Sequence, residues 1–331
     1  MKILVTGAAG FLGSHLALHH LRQHDYVVGV DNFSSSDEDS DHLKLMNAHK
    51  NFELVEGDIT EKLDFADLWG TKKEKFDIIY NFACVASPEL YQATPIETIM
   101  TSVVGTANVL DMALEDRAVV VHASTSEVYG EPLTKIQDES QWSHVNSYGP
   151  RSCYDSSKMT AEALCFDYRN SFNVDARVVR IFNTYGPHLL PDDGRVISNF
   201  LKQAGNGEPL TVYGDGSQTR SFCYVTDLID GIVKLATLRD NPGHPINIGN
   251  PDEFTILSLT EVIKELYPCC GTIEFKPLPK DDPTQRRPDI TKAQQILGWN
   301  PEISLREGLH RLAMFWYWSG VVKSPPQNIS Y

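Results

Sequence analysis

No stretch of about 18 apolar residues interrupts the chain, so nothing in it reads as a membrane-spanning helix. The first apolar strand pattern begins at Lys2, which leaves no room ahead of it for a signal peptide or anchor and predicts a cytosolic protein. Positive charge is scarce. Lys and Arg number 29 against 44 Asp and Glu, a net charge of −15, and such a surface does not suit nucleic acid. It says little about an anionic small substrate, because local arginines hold phosphates. The six cysteines (84, 153, 165, 223, 269 and 270) show neither C-x-x-C spacing nor a ligand cluster, and read as reduced thiols. The sequons at Asn32 and Asn328 are then chance matches, since glycosylation needs the secretory route. Internal repeats, long linkers and low-complexity segments are also missing. Four histidines, His15/His19 and His20/His24, stand at i and i+4, a spacing that can ligate metal, but no third ligand cluster lies near them and no metal is expected.

What is present is a soluble enzyme's composition and an ordered set of motifs. With 331 residues, 41% of them hydrophobic, the chain can bury a sizeable core in two lobes. Lys2-Ile-Leu-Val-Thr6 reads as a buried strand, Gly7-Ala-Ala-Gly10-Phe-Leu-Gly13 follows at once, and a helical run extends from Phe11 to about Arg22. Glycines at 7, 10 and 13 allow a tight turn, close approach to a pyrophosphate and helix-on-strand packing, with the helix N-terminus offering N–H groups to the anion. The next apolar run, Tyr26-Val-Val-Gly-Val-Asp31, ends in a carboxylate suited to adenosine ribose hydroxyls. Asn32-Phe-Ser-Ser-Ser36 supplies no cation for a 2′-phosphate, so the cofactor should be NAD rather than NADP.

Tyr154 and Lys158 stand at i and i+4 on a predicted helix, which puts an ammonium beside a phenol. A tyrosine titrates near ~10 and is a poor base at neutral pH, so Lys158 together with a positively charged nicotinamide would have to pull it down. At the end of the fifth strand, Thr125 and Ser126 offer hydroxyls to a reacting oxygen and Glu127 adds one carboxylate. Downstream, Leu210-Thr-Val-Tyr-Gly214 and Arg220 suit a base and a pyrophosphate, and Asp282-Pro-Thr-Gln-Arg-Arg-Pro288 brings two more arginine forks.

Strand patterns at Phe52–Glu56, Asp77–Asn81, Ala118–His122 and Ala176–Ile181 alternate with helical ones, which predicts a Rossmann-like, doubly wound parallel α/β sheet. A helix opening at Thr94-Pro95 and running to about Glu115 carries an apolar stripe through Ile96, Ile99, Val103, Val104, Ala107, Leu110 and Leu114. The helix from about Tyr154 to Phe172 carries another through Leu164, Cys165 and Tyr168. Such stripes are core faces by default, and a homodimer built on a helix bundle is also expected. Residues 1–182 plus about 222–243 should form the cofactor domain. Residues 183–221 plus about 244–320 should form a smaller α/β substrate lobe.

On these motifs the chain resembles the extended short-chain dehydrogenase/reductase family, and within it the UDP-glucuronate decarboxylases. The likeness runs from Lys2 to about Ala313 and is most specific in Ser124-Thr-Ser-Glu-Val-Tyr-Gly130, Gly149-Pro-Arg-Ser-Cys-Tyr-Asp155, Arg180-Ile-Phe-Asn-Thr-Tyr-Gly-Pro187, Asp193-Gly-Arg-Val-Ile-Ser-Asn-Phe200 and Gly216-Ser-Gln-Thr-Arg220. The tail Asp281-Asp-Pro-Thr-Gln-Arg-Arg-Pro-Asp-Ile290 fits too. The resemblance implies Tyr154 as base, Lys158 as its electrostatic partner, Thr125 as a sugar-oxygen contact, and Glu127 with Arg286 at the sugar ring. It places Phe11, Leu12, Asn32, Asp58 and Ile59 with the glycines and Asp31 at NAD. It puts Ser87, Pro88, Tyr91, Ser126, Asn183, Arg195, Val196, Thr211, Tyr213 and Arg220 at the UDP-sugar.

The activity so implied is oxidation at C4 of UDP-glucuronic acid, loss of CO2 from the resulting β-keto acid, and return of hydride to give UDP-xylose with NAD regenerated. A nucleotide-sugar 4-epimerase is the nearest alternative, since it needs the same oxidation, although epimerases usually lack the glutamate. A 4,6-dehydratase would carry adjacent Asp and Glu where this chain has Ser126 and Glu127. A non-catalytic NAD-binding protein is the alternative of a different class, and the set Thr125, Glu127, Tyr154 and Lys158 argues against it. One loop departs from the decarboxylase pattern: Asn81-Phe-Ala-Cys-Val-Ala-Ser-Pro-Glu-Leu-Tyr91 keeps Ser87, Pro88 and Tyr91 but introduces Glu89, whose charge would disfavour a substrate carboxylate if it pointed inward.

Overall fold

A computed structural model describes residues 1–63, 74–131, 134–277 and 285–327. Residues 281–284 of the arginine-bearing tail and the Asn328 sequon lie outside the described residues. The chain divides into two compact units, one of Met1–Val128, Val145–Arg180 and Ile229–Ile246, the other of Tyr129–His144, Ile181–Leu228 and Asn247–Tyr331.

The first unit is built on parallel strands whose inner members are buried on both faces, while Phe52–Glu56 at the edge buries only Phe52 fully. They are β1 (Lys2–Thr6), β2 (Tyr26–Asp31), β3 (Phe52–Glu56), β4 (Ile78–Asn81), β5 (Val119–Thr125) and β6 (Asp175–Ile181). Their order is β6-β5-β4-β1-β2-β3, with a seventh strand opening at Ile246 on the β6 edge. β1 pairs in parallel with β2 and β4, β2 with β3, and β4 with β5. Strand order reverses between β1 and β4, and at such a switch point the carboxyl ends of the strands open a crevice for ligands. Leu4, Val28, Ile79, Leu110, Val120 and Cys165 belong to one core cluster on this sheet. This is the expected doubly wound sheet.

The helices hold one surprise. The predicted helix after Thr94 is three pieces, Pro95–Met100, a π-turn at Thr101–Gly105, and Thr106–Asp116. Gly105 explains the local packing, because a Cβ there would sit 2.5 Å from the Ile59 side chain. Only part of the apolar stripe is core. Leu110 is buried, whereas Ile96, Ile99 and Leu114 are exposed, and so are Phe166 and Phe172 on the helix Ser152–Phe172. The default core reading therefore fails for the outer half of the stripe. His20, one of the four clustered histidines, is committed to Asp25 at 2.8 Å and to the Tyr80 hydroxyl at 2.9 Å.

The second unit is made of short pieces. Thr219–Ser221 pairs antiparallel with Glu253–Thr255 and parallel with Gln285–Arg286, while Leu210–Tyr213 pairs parallel with Ile273–Lys276. Helices Val196–Asn206, Ile256–Leu266 and Leu305–Trp318 supply buried Phe200, Leu201, Leu259, Ile263, Leu309 and Trp316. Thr255 and Ser304 cap the last two by accepting the N–H groups of Ser258 and Glu307. Among the described residues no helix is long and apolar enough to cross a membrane.

Candidate active site

The carboxyl end of β1 is shaped by backbone contact. Gly7 turns with φ +70°, and its N–H donates to the Val30 carbonyl at 2.8 Å. A Cβ on Gly13 would lie 2.0 Å from the Gly7 carbonyl oxygen, and one on Gly7 would lie 2.9 Å from that of Phe82. Loop, helix and the segment just after β4 thus touch main chain to main chain. The helix Phe11–Arg22 begins after Gly10 with no side-chain cap and no acid in its first turn, so its free N–H groups and dipole are left for an anion. Phe11 and Leu12 are its first residues.

Asp31, at the end of β2, is braced from both sides. One carboxylate oxygen accepts the Ala9 N–H at 2.9 Å, and the other accepts the Phe33 N–H at 2.9 Å and the Ser36 hydroxyl at 2.8 Å. Asn32 donates to Asp58 at 2.8 Å. Burial of Asp58 raises its affinity for a proton, but the Thr60 N–H, the Thr60 hydroxyl and Asn32 outweigh it and hold the carboxyl below its ordinary range. Ile59 is buried, with its carbonyl held by Asn108 at 2.9 Å. The residues predicted for NAD therefore converge at adjoining strand ends, and the glycine cradle with its braced carboxylate fits a dinucleotide.

The end of β5 meets the start of the helix Ser152–Phe172. Tyr154 is buried, and its ring stacks on Tyr91 with centroids 4.9 Å apart and planes 6° from parallel. Lys158, also buried, donates to the Ala123 carbonyl at 2.8 Å and stands 5.9 Å from the Tyr154 ring centroid. Burial pushes the Tyr154 phenol well up, the nearby Cys84 pushes the same way, and a hydrogen bond with the Thr125 side chain pulls it down. In the chain by itself burial wins and the phenol keeps its proton.

Around this pair the predicted residues take definite places. The Glu127 N–H donates to the Thr125 hydroxyl at 3.2 Å, and its carboxylate accepts from Arg151 at 2.8 Å. Ser126 and Ser87 are buried, and Pro88 begins the helix Pro88–Ala93. Tyr91 is 1% exposed, so within this unit it serves as the surface on which Tyr154 lies. Glu89 is exposed on the first turn of its helix.

Sequence reasoning missed two side chains. Arg151 stands just ahead of the helix that carries Tyr154 and Lys158, and the sequence shows it only as part of a motif. Glu162 accepts from Ser124 at 2.5 Å and from Arg180 at 2.9 and 2.7 Å, joining β5, β6 and the helix behind Lys158. Its signal was a carboxylate one helical turn after Lys158, on a face that also buries Ala161 and Cys165.

In the second unit, Arg220 and Arg286 are register partners on neighbouring parallel strands, which brings two predicted arginines side by side. Both are buried, Arg220 donating to the Thr219 carbonyl at 2.8 Å and Arg286 to that of Gly130 at 3.0 Å. Thr211 exchanges two hydrogen bonds of 3.0 Å with Gln203, and Tyr213 is 39% exposed at the end of its strand. Arg195 pairs with Asp193 immediately before the helix that Val196 begins. Asn183 engages Cys223 through its carbonyl at 2.9 Å.

The family model described as NAD dependent epimerase/dehydratase family matches residues 3–249. The chain is 48% identical over 312 residues to UDP-glucuronic acid decarboxylase 1 of Arabidopsis thaliana, covering 94% of this chain and 69% of that one. It is 45% identical over 314 residues to UDP-glucuronic acid decarboxylase 1 of Danio rerio, covering 95% and 72%. Among solved structures, the UDP-glucuronic acid 4-epimerase of Bacillus cereus in complex with UDP-glucuronic acid and NAD superposes with a TM-score of 0.84 at 30% identity, covering 95% of this chain and 98% of that one.

Proposed function

The chain belongs to the NAD-dependent epimerase/dehydratase family, and from that premise we propose that it decarboxylates UDP-glucuronic acid to UDP-xylose. The observation that carries the reading is the joined set Thr125, Glu127, Tyr154 and Lys158 at one strand end, in a chain nearly half identical to UDP-glucuronic acid decarboxylases over most of its length.

The glycine cradle and Asp31 would hold NAD, which when bound would accept and later return the C4 hydride. Tyr154 Oη takes the C4 hydroxyl proton, while Lys158 Nζ stabilises the phenolate through space. The ketone at C4 makes the C5 carboxylate a β-keto acid. The C5–C6 bond breaks, CO2 leaves, and the electron pair passes through C4 onto O4. The Thr125 hydroxyl and the Tyr154 hydroxyl donate to O4 as that charge develops. Water then supplies the proton added at C5, and as C4 is reduced again the Tyr154 hydroxyl returns to O4 the proton it took. In the second unit, the buried Arg220 and Arg286, register partners on neighbouring strands, offer a pair of charges suited to an anion.

Epimerisation needs the same oxidation and is the competing outcome. The higher identity to decarboxylases and the presence of Glu127 favour CO2 loss. NMR of the purified protein with NAD and carboxyl-labelled UDP-glucuronic acid decides between them: labelled CO2 appearing with UDP-xylose is expected, whereas label retained in UDP-galacturonic acid would make the protein an epimerase.

The exposed Ile96, Ile99, Leu114, Phe166 and Phe172 belong to helices of one unit and suit a second copy of the chain. A dimer through this face predicts twice the chain mass in light scattering, and Ile96→Glu with Phe166→Glu should yield monomers.

A further inference from the structure

Arg151 ties together two elements that the proposed reaction needs in register. Its carbonyl accepts the N–H groups of both Tyr154 and Asp155 at 3.0 Å, closing the first turn of the helix that carries Tyr154 and Lys158. Its guanidinium reaches the other way, 2.8 Å from Glu127 and 3.9 Å from Asp155. Glu127 in turn is joined through its N–H to Thr125, whose side chain hydrogen-bonds Tyr154. A closed circuit results, running from Arg151 to Glu127 to Thr125 to Tyr154 and back to Arg151 through the helix turn. Its ion pair is mostly buried, with the Arg151 and Glu127 side chains only 15% and 16% exposed, where screening is weak.

We propose that Arg151 is a positioning residue that locks the Glu127 carboxylate to the first turn of the helix carrying Tyr154 and Lys158, holding it in one place between turnovers. It also stands within 4 Å of two carboxylates, Glu127 and Asp155, whose mutual repulsion its charge offsets. The fork geometry matters as well as the charge, since a guanidinium can address both acids while an ammonium addresses one point. The role of the circuit in turnover rests on the decarboxylase reading above. The lock itself does not.

The test is a double-mutant cycle of Arg151→Gln and Glu127→Gln, with Arg151→Lys as the conservative variant. Substitution of the side chain leaves the carbonyl that closes the helix turn, so the variants should fold. With UDP-glucuronic acid, Arg151→Gln should lower kcat on the order of 10- to 100-fold, the scale of a small misplacement, with KM within about twofold of wild type. Arg151→Lys should recover part of the loss. The double variant should be no slower than Glu127→Gln alone, because Arg151 acts through Glu127. Losses that multiply would overturn the proposal, and so would a raised KM with kcat unchanged, which would make Arg151 a substrate ligand. The same four proteins melted without ligand give a readout independent of the reaction. Non-additive changes in Tm are expected, and strict additivity would remove the lock even if the wild type turns out to act on another substrate.

Discussion

The glycine cradle at the end of β1 and the catalytic corner at the end of β5 lie in one sheet but are held by opposite means. In the cradle, main chain touches main chain, and the room is so tight that a single methyl group would strike a carbonyl oxygen 2.0 Å away. In the corner, side chains carry the contacts: Ser124 donates to Glu162 at 2.5 Å, Arg151 donates to Glu127 at 2.8 Å, and the Thr125 hydroxyl accepts the Glu127 N–H at 3.2 Å. Steric exclusion is all-or-none, whereas a polar network gives way in steps. The cradle should therefore lose cofactor affinity under the smallest substitution, and the corner should lose rate while keeping its ligands.

The sharpest contrast is between two conservative changes. Tyr154→Phe removes one oxygen from a ring still seated on Tyr91, and turnover should fall on the order of 10² to 10⁴-fold while NAD remains bound and Tm moves little. Turnover near wild type would remove Tyr154 from the chemistry. Gly13→Ala should do the reverse, weakening NAD by on the order of tenfold or more because loop and helix must part to admit the methyl. Titration calorimetry with NAD measures it. Unchanged affinity would mean that the backbone approach at Gly13 is not what shapes the site.

The same contrast explains how much could be read from the sequence. Main-chain features leave local marks, so β1, β2, β3 and the helix Phe11–Arg22 fall where their apolar runs and glycines placed them. Tyr154 and Lys158 were legible because one helix spaces them. The π-turn at Thr101–Gly105 was not, since it packs Gly105 against Ile59 from a distant loop. Nor was the link of Ser124 to Glu162 and Arg180, which exists only once β5 and β6 lie side by side against the helix. The stacking of Tyr91 on Tyr154 escapes the sequence for the same reason, since it joins two helices 63 positions apart.

A smaller effect should come from the buried histidine between these regions. His122 on β5 faces Asn81 on β4, whose amide stands 3.2 Å from Nδ1, and burial first, then the charge of Lys158, hold it well below the ordinary histidine value of 6.5. His20 is lowered too, chiefly by burial, with Asp25 opposing. A histidine lowered in the folded state stays neutral there while the unfolded chain takes up a proton. Stability is therefore complete above pH 6.5 and declines as pH falls below it, by up to about 1.4 kcal/mol per pH unit for each such group. The lowered carboxyls Asp25, Asp58 and Asp175 work in the same direction only near and below their ordinary value of 3.8, so the window from pH 6.5 to about 5 belongs to the histidines. Tm measured from pH 7.5 to 5 should drop across that window, and His122→Gln should flatten the slope by its share. A wild-type Tm that holds level to pH 5 would show that His122 takes up its proton without unfolding, and that the floor beneath the catalytic corner yields in steps as the corner does.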